Sequence, residues 1–543
     1  MKRILLLLLF PFALFAADKP NIVVILVDDM GFSDIGCYGS EIPTPNLDAL
    51  AAGGVRFTQF YNTARCCPTR ASLLTGLYPH QAGVGHMVDD RGADGYRGDL
   101  NRRCVTIPEV LRPAGYATYM VGKWHVTKHI NAATPDQKFN WPLQRGFERY
   151  FGIIAGKADY FRPDSLTRDN ERIAPPGKDF YTTDAFVDNA IRFVNDGPKD
   201  KPFFLYVAFN APHFPLMAPQ DEIAKFRGKY KTGWDKLRDQ RHAKQIELGV
   251  VDKAWPLSPR PPSVKAWDSL DAAEKDRFDH IMAIYAACVA HMDASVGRLV
   301  AALKERGALD NTLIVFMSDN GGNAEAGPNG RLTGTPPGSP KSDVFEGESW
   351  ATLSNTPLRR YKHFNHEGGI ATPLIAHWPA RIKPVGRAVP SAPRDSTAGG
   401  GVGTLRPTST GLLCDQPGHL VDIMATCVDV GGAKYPAEFG GHAILPMEGR
   451  SLVPAFDNQP IQRDALYWEH EGNAAIRVGD WKLVRLGRNG DWELYNLKAD
   501  RTEQRDLAGT KPELTKELAA KWEAWAERAH VKPYPDAKKG RKK

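Results

Sequence analysis

The strongest constraint on this chain is a series of short apolar, β-branched runs that end in polar or loop-forming residues and alternate with segments of helical periodicity. The first, Asn21–Val27 (NIVVILV), lies between Pro20 and the pair Asp28-Asp29. A run apolar at every position reads as a strand buried on both faces, the condition of a parallel sheet. Residues 117–121, 203–209, 312–317 and 373–376 have the same character. Between them, Ile281, Ile284, Tyr285, Cys288, Val289 and Met292 repeat at helical spacing and predict a long helix over 271–306. The alternation predicts an α/β fold, a large mixed but mainly parallel sheet sandwiched by helices.

At 543 residues the chain exceeds what one ordinary core supports. After about residue 463 the pattern changes to short alternating strands, at 465–468, 474–478, 481–485 and 492–495, followed by a helix over 511–528. That order predicts a small C-terminal antiparallel sheet with one packed helix. The expected division is a signal peptide at 1–17, a catalytic domain at 18–460, an α+β subdomain at 461–535 and a basic tail at 536–543. The Gly/Ser/Thr/Pro-rich stretch 387–410 is expected to be a surface loop.

The signal peptide rests on Lys2 and Arg3, an apolar run over 4–15, and Ala16-Ala17. It predicts export, to the periplasm or the medium. No later stretch reads as the roughly 20 apolar residues of a membrane span. The formal charge of +7 mildly favours anionic substrates. Basic residues are spread along the chain with no groove-reading motif, which argues against a nucleic-acid partner. Seven cysteines, at 37, 66, 67, 104, 288, 414 and 427, show no paired metal-ligand spacing.

In open α/β sheets, ligands sit beyond the carboxyl ends of the strands. Asp28 and Asp29 end the first run, and Asp319 and Asn320, within SDNGG, follow the run at 312–317. If the two strands are central, four oxygen donors meet. Such a set suits a hard cation, Ca²⁺ in preference to Mg²⁺, because Mg²⁺ seldom takes an all-protein cage. Each pair taken alone also suits a helix cap or a turn.

The segment 66–76 (CCPTRASLLTG) has Pro68 where a first helical turn accepts it and Gly76 where a helix stops. Cys66 then sits at a helix N-terminus, where unpaired N–H groups attract anions and favour a thiolate. A cysteine nucleophile and an ordinary capped helix both remain open on these residues.

This run resembles the sulfatase signature Cys-x-Pro-Ser/Thr-Arg-x-x-x-Leu-Thr-Gly at every fixed position. Gly122-Lys123-Trp124-His125, Ala211-Pro212-His213, the run 355–362 (NTPLRRYK) and Glu367-Gly368-Gly369 resemble further segments of that family, in order. The resemblance extends over about 20–507 and implies an alkaline-phosphatase-like sheet. It implies that a formylglycine-generating enzyme oxidises Cys66 to formylglycine, whose hydrate attacks sulfur through one hydroxyl and releases sulfate through the other. It further implies that Asp28, Asp29, Asp319 and Asn320, with the Cys66 derivative, hold the cation. Arg70 and His125 would then hold the formylglycine, and Lys123, His213 and Lys362 would grip the sulfate, with His213 or Lys362 protonating the leaving alcohol.

The expected activity is hydrolysis of sulfate monoesters, with sulfated carbohydrate as the expected substrate. A phosphatase or phosphonate monoester hydrolase of the same superfamily, a silent sulfated-glycan-binding protein and a direct cysteine hydrolase are the alternatives. His86, Tyr160, Phe161 and the segment 220–268 are expected to shape the leaving-group side.

Overall fold

The computed structural model describes residues 19–383, 405–408 and 411–535. The signal-peptide and basic-tail assignments, and most of the loop assignment at 387–410, lie outside the described residues. The part of that loop that is described, Leu405–Thr408, is a strand rather than a loop, paired antiparallel with Gly411–Cys414.

Seven strands of the main sheet position the site. In chain order they are β1 (Asn21–Val27), β2 (Val55–Tyr61), β3 (Ala117–Lys123), β4 (Arg149–Ile153), β5 (Phe203–Ala208), β6 (Thr312–Ser318) and β7 (Ala371–His377). Their order across the sheet is β2-β7-β6-β1-β5-β3-β4, extended at both edges by shorter strands. The run β6-β1-β5-β3-β4 is parallel throughout, and β7 runs antiparallel to both β6 and β2. The carboxyl ends of β6, β1, β5 and β3 therefore lie side by side, and the chain entering β7 arrives at the same edge.

Helices cover both faces. Val23, Ile25 and Val27 of β1 point into a core with Ile281, Tyr285 and Met292 of the helix Ala272–Glu305. Ile22, Val24 and Leu26 point into the opposite core with Leu73 and Leu74 of the helix Cys66–Thr75. Successive strand residues face opposite ways, so a strand buried on both faces must be apolar at each buried position, which residues 22–27 (IVVILV) provide. The helix Ala272–Glu305 starts at a capping box between Asp271 and Glu274. Among the described residues it is the one helix long and apolar enough, by length and composition, to cross a membrane, and here its apolar side packs on the sheet.

The C-terminal sheet consists of β8 (Leu466–His470), β9 (Asn473–Val478), β10 (Trp481–Arg485) and β11 (Trp492–Asn496), paired antiparallel in sequence order. Ala474, Ile476, Leu483 and Leu494 pack against Leu518, Trp522, Trp525 and Ala526 of the helix Pro512–Arg528. A buried ionic cluster joins this sheet to the main one. Glu367, just before β7, receives Lys482 Nζ at 2.9 Å, Arg501 Nε at 3.1 Å and the Tyr61 hydroxyl at 3.0 Å. Lys482 also meets Glu503 Oε1 at 2.8 Å. Burial alone would raise the Glu367 pKa, but the Lys482 and Arg501 charges outweigh it and hold the carboxyl at about 2.

Candidate active site

The residues just beyond β1, β6, β5 and β3 converge on one buried point. Asp28 and Asp29 leave β1, and the Asp29 N–H donates to Asp319 Oδ1 at 3.2 Å, joining the ends of β1 and β6. Asn320 Nδ2 donates to Asp29 Oδ1 at 2.7 Å. All four of these residues are buried. Asp28 Oδ1 and Asn320 Oδ1 are buried without any hydrogen-bond partner. Two orphaned oxygens beside two further carboxylates form a donor set that a hard divalent cation completes. Burial, reinforced by Asp319, pushes the Asp28 carboxyl up to about 7. Asp29 is held low, because Lys362 and His213 outweigh the effect of its burial.

The helix Cys66–Thr75 brings the nucleophile candidate. It begins at Cys66 and ends at Gly76 in the left-handed region, φ +69°, as the Pro/Gly spacing predicts. The Thr69 hydroxyl donates to the Asp319 carbonyl at 2.6 Å, fixing the first turn to the end of β6. Arg70 reaches Asp319 Oδ2 at 2.9 Å, Asp28 Oδ2 at 3.3 Å and the Lys123 carbonyl at 2.9 Å. Cys66 and Cys67 differ in surroundings. Cys67 Sγ lies 3.1 Å from His125 Nε2 and 3.8 Å from Met87 Sδ. The Cys66 thiol is held well below its ordinary range by the Cys67 thiol and, against its burial, by Lys123 and His125.

Lys123 ends β3, and its ammonium lies 2.6 Å from Asp28 Oδ2. Gly122 before it has φ +100°, and a Cβ there would stand 1.9 Å from the Ala208 carbonyl of β5, so only glycine lets β3 and β5 lie this close. His125 is buried and pushed down to about 4 by that burial, which keeps the imidazole neutral. Beyond β5, the peptide Ala211-Pro212 is cis. His213 follows with Nε2 3.6 Å from Asp29 Oδ2. The Tyr160 hydroxyl braces this turn by donating to the carbonyls of Asn210 and His213, at 2.9 and 2.7 Å.

Lys362 enters ahead of β7. Its backbone N–H donates to the Gly322 carbonyl at 3.2 Å, and its ammonium lies 2.7 Å from Asp29 Oδ1. Thus Cys66, Arg70, Lys123, His125, His213 and Lys362 are brought together around Asp28, Asp29, Asp319 and Asn320.

The sequence reading missed Asn323, whose Nδ2 donates to Asp29 Oδ2 at 2.7 Å. Its only signal was a place three residues after Asn320. It also missed Arg65, at the helix N-cap, which pairs with Glu325 at 2.9 Å. The segment 220–268 braces the frame: Arg241 pairs with Asp34 at 2.7 Å and Glu41 at 2.8 Å, and the Ser258 hydroxyl donates to the Leu358 carbonyl at 3.0 Å.

Acidic oxygens, a helix N-terminus and several buried cations at the carboxyl edge of a largely parallel sheet define a hydrolase of alkaline-phosphatase-like fold. The chain belongs to the sulfatase family, whose model, described as Sulfatase, matches residues 20–432. It is 33% identical over 565 residues to an uncharacterized sulfatase of Schizosaccharomyces pombe, covering 96% of each chain. It is 37% identical over 390 residues to the arylsulfatase of Klebsiella aerogenes, covering 67% of this chain and 81% of that one. Among solved structures it resembles Ps i-CgsB in complex with k-i-k-neocarrahexaose, with a TM-score of 0.65 and 27% identity, covering 94% and 93% of the two chains. It is accordingly a sulfuric ester hydrolase. The family generally uses formylglycine and a divalent metal.

Proposed function

We propose that this chain is an exported sulfatase, periplasmic or secreted, that cleaves sulfate monoesters of carbohydrates. In this reading its nucleophile is a formylglycine made from Cys66 by a formylglycine-generating partner, and its cation is Ca²⁺. The observation that carries the reading is the pair of orphaned oxygens, Asp28 Oδ1 and Asn320 Oδ1, in one pocket with a thiol that opens a helix and feels the charge of Lys123.

The hydrated formylglycine supplies a hydroxyl for attack on sulfur and a second for sulfate release, and the cation lowers the pKa of the first. Arg70, locked onto Asp319 and Asp28, fixes the turn that carries residue 66. Lys123, His213 and Lys362 bind the nonbridging sulfate oxygens, where charge builds up as the ester bond breaks, so they stabilise the transition state more than bound substrate. His125, kept neutral by burial, takes the proton from the second hydroxyl. His213 or Lys362 gives a proton to the departing alcohol, an aid of roughly 10²- to 10⁴-fold for poor leaving groups such as sugars. The carbohydrate assignment is supported by k-i-k-neocarrahexaose, the compound named for Ps i-CgsB.

The test compares nitrophenyl sulfate with nitrophenyl phosphate on protein matured and loaded with Ca²⁺, then screens sulfated mono- and oligosaccharides for sulfate release. Faster turnover of the phosphate would overturn the sulfatase reading in favour of a phosphatase or phosphonate hydrolase. A Cys66 thiol left unmodified in active native material would overturn the formylglycine.

A further inference from the structure

A second cluster of ligating side chains stands outside the cation site. His470 ends β8, Glu471 opens the turn to β9, and His363 follows Lys362; one ligating atom from each lies within 4.8 Å of the others. His86 joins them, its Nε2 3.0 Å from Glu471 Oε1 and its ring stacked on His470 at 5.8 Å. His363 Nδ1 lies 3.1 Å from Glu471 Oε2. The His470 side chain is fully buried among these groups, and neither of its ring nitrogens has a hydrogen-bond partner. A buried imidazole with neither nitrogen hydrogen-bonded, its Nε2 3.8 Å from Glu471 Oε1, is costly unless something binds it.

We propose that His86, His363, His470 and Glu471 form a second metal site, for a zinc-class ion, that clips the C-terminal sheet to the rim of the active site. Three imidazoles and one carboxylate are the donors of a four-coordinate zinc site and differ in kind from the all-oxygen set around Asp28. Carboxylates also stand by the outer nitrogens. His363 Nε2 stands 3.3 Å from Glu325 Oε1, the carboxylate-histidine-metal arrangement that orients ligating rings, and the Asp89 carboxylate stands 3.5 Å from His86 Nδ1, a contact without a hydrogen bond. Arg65, which lies against the His363 ring, is neutralised by Glu325 at 2.9 Å. Metal binding forms ligand bonds in place of the hydrogen bonds from His86 Nε2 and His363 Nδ1 to Glu471; the proton on each of those nitrogens moves to the other ring nitrogen or is released to solvent, with no redox change.

The test is dialysis of Ca²⁺-loaded full-length protein against Zn²⁺, with bound zinc counted by mass spectrometry, and a parallel titration with Co²⁺ as a spectroscopic probe. The expected result is one zinc per chain and a cobalt spectrum of four-coordinate nitrogen and oxygen ligation. Asp89→Asn, at a partly exposed position, should weaken zinc binding about 10-fold or more through the outer shell without risk to folding. His470→Ala should abolish stoichiometric binding. No retained zinc, or affinity unchanged in both variants, would overturn the site. So would thiolate-to-cobalt charge transfer in the near ultraviolet, which would assign the ion to Cys66, Cys67 and His125 instead.

Discussion

Lys362 Nζ lies 2.7 Å from Asp29 Oδ1, a buried contact between residues 333 positions apart. The end of β1 that carries Asp28 and Asp29 is thus the same place where the last buried lysine of the pocket is held. The charge on Lys362 is secured by Asp29, which raises the lysine pKa above its usual value against the effect of burial.

On the proposed mechanism, Lys362→Met removes one donor to the sulfate oxygens. It is expected to lower kcat/KM on nitrophenyl sulfate by about 10²- to 10³-fold, the cost of one preorganised donor. Steady-state kinetics check this, with a Ca²⁺ titration to show that Asp29 still binds the ion.

Cys66 and Cys67 are adjacent yet differently placed, so their substitutions should separate. Cys66→Ala is expected to abolish turnover. Cys67→Ala should retain it within about 10-fold, since the thiol touches His125 and Met87 but none of the acidic ligands. Peptide mass spectrometry of the wild type should show a loss of about 18 Da at residue 66 alone.

Gly122→Ala would bring a methyl group against the Ala208 carbonyl at a position with φ +100°. Backbone strain of this kind costs about 1–3 kcal/mol, and the clash adds to it. The expected outcome is a lower denaturation midpoint together with lost activity, because Lys123 is the next residue.

Acid should weaken the join between the two sheets. Glu367 has a folded pKa of about 2 against an ordinary 4.5. Its stabilising contribution is therefore complete above about 4.5 and is lost as pH falls towards 2, with an upper limit of about 3 kcal/mol from a shift of this size. Urea midpoints measured between pH 2 and pH 7 should fall over that window. Glu367→Gln should flatten the fall and, by leaving Lys482 and Arg501 uncompensated, cost about 3–5 kcal/mol at neutral pH.

Chelation provides a further check. Treatment with EDTA is expected to abolish sulfate release, and added Ca²⁺ to restore it, with a rise in Tm on reloading. Recovery with Mg²⁺ at equal efficiency would set aside the preference for Ca²⁺.

Much of the frame was legible because the strands that carry the site are buried on both faces, which writes them into the sequence as largely apolar runs, two of which, β1 and β6, run into acids. β2 was not, since VRFTQFY interrupts its apolar residues with Arg56, whose guanidinium is buried against the Cys37 carbonyl. Asn323 and Arg65 were invisible for another reason: an amide or guanidinium placed by a loop carries no period, and only the folded chain shows which carboxylate it meets. The cluster of His86, His363 and His470 is assembled from three distant segments and has no spacing to read.

Every residue of the helix that begins at Cys66 is buried. An enzyme that oxidised residue 66, as proposed, could not reach it in the finished protein, so that modification would have to precede folding. The join that seals the molecule uses Lys482 and Arg501, more than 400 residues later, and growth from the N-terminus leaves that segment in reach throughout. Chemistry at position 66 is then a matter of timing, with a deadline set by the arrival of the C-terminal sheet.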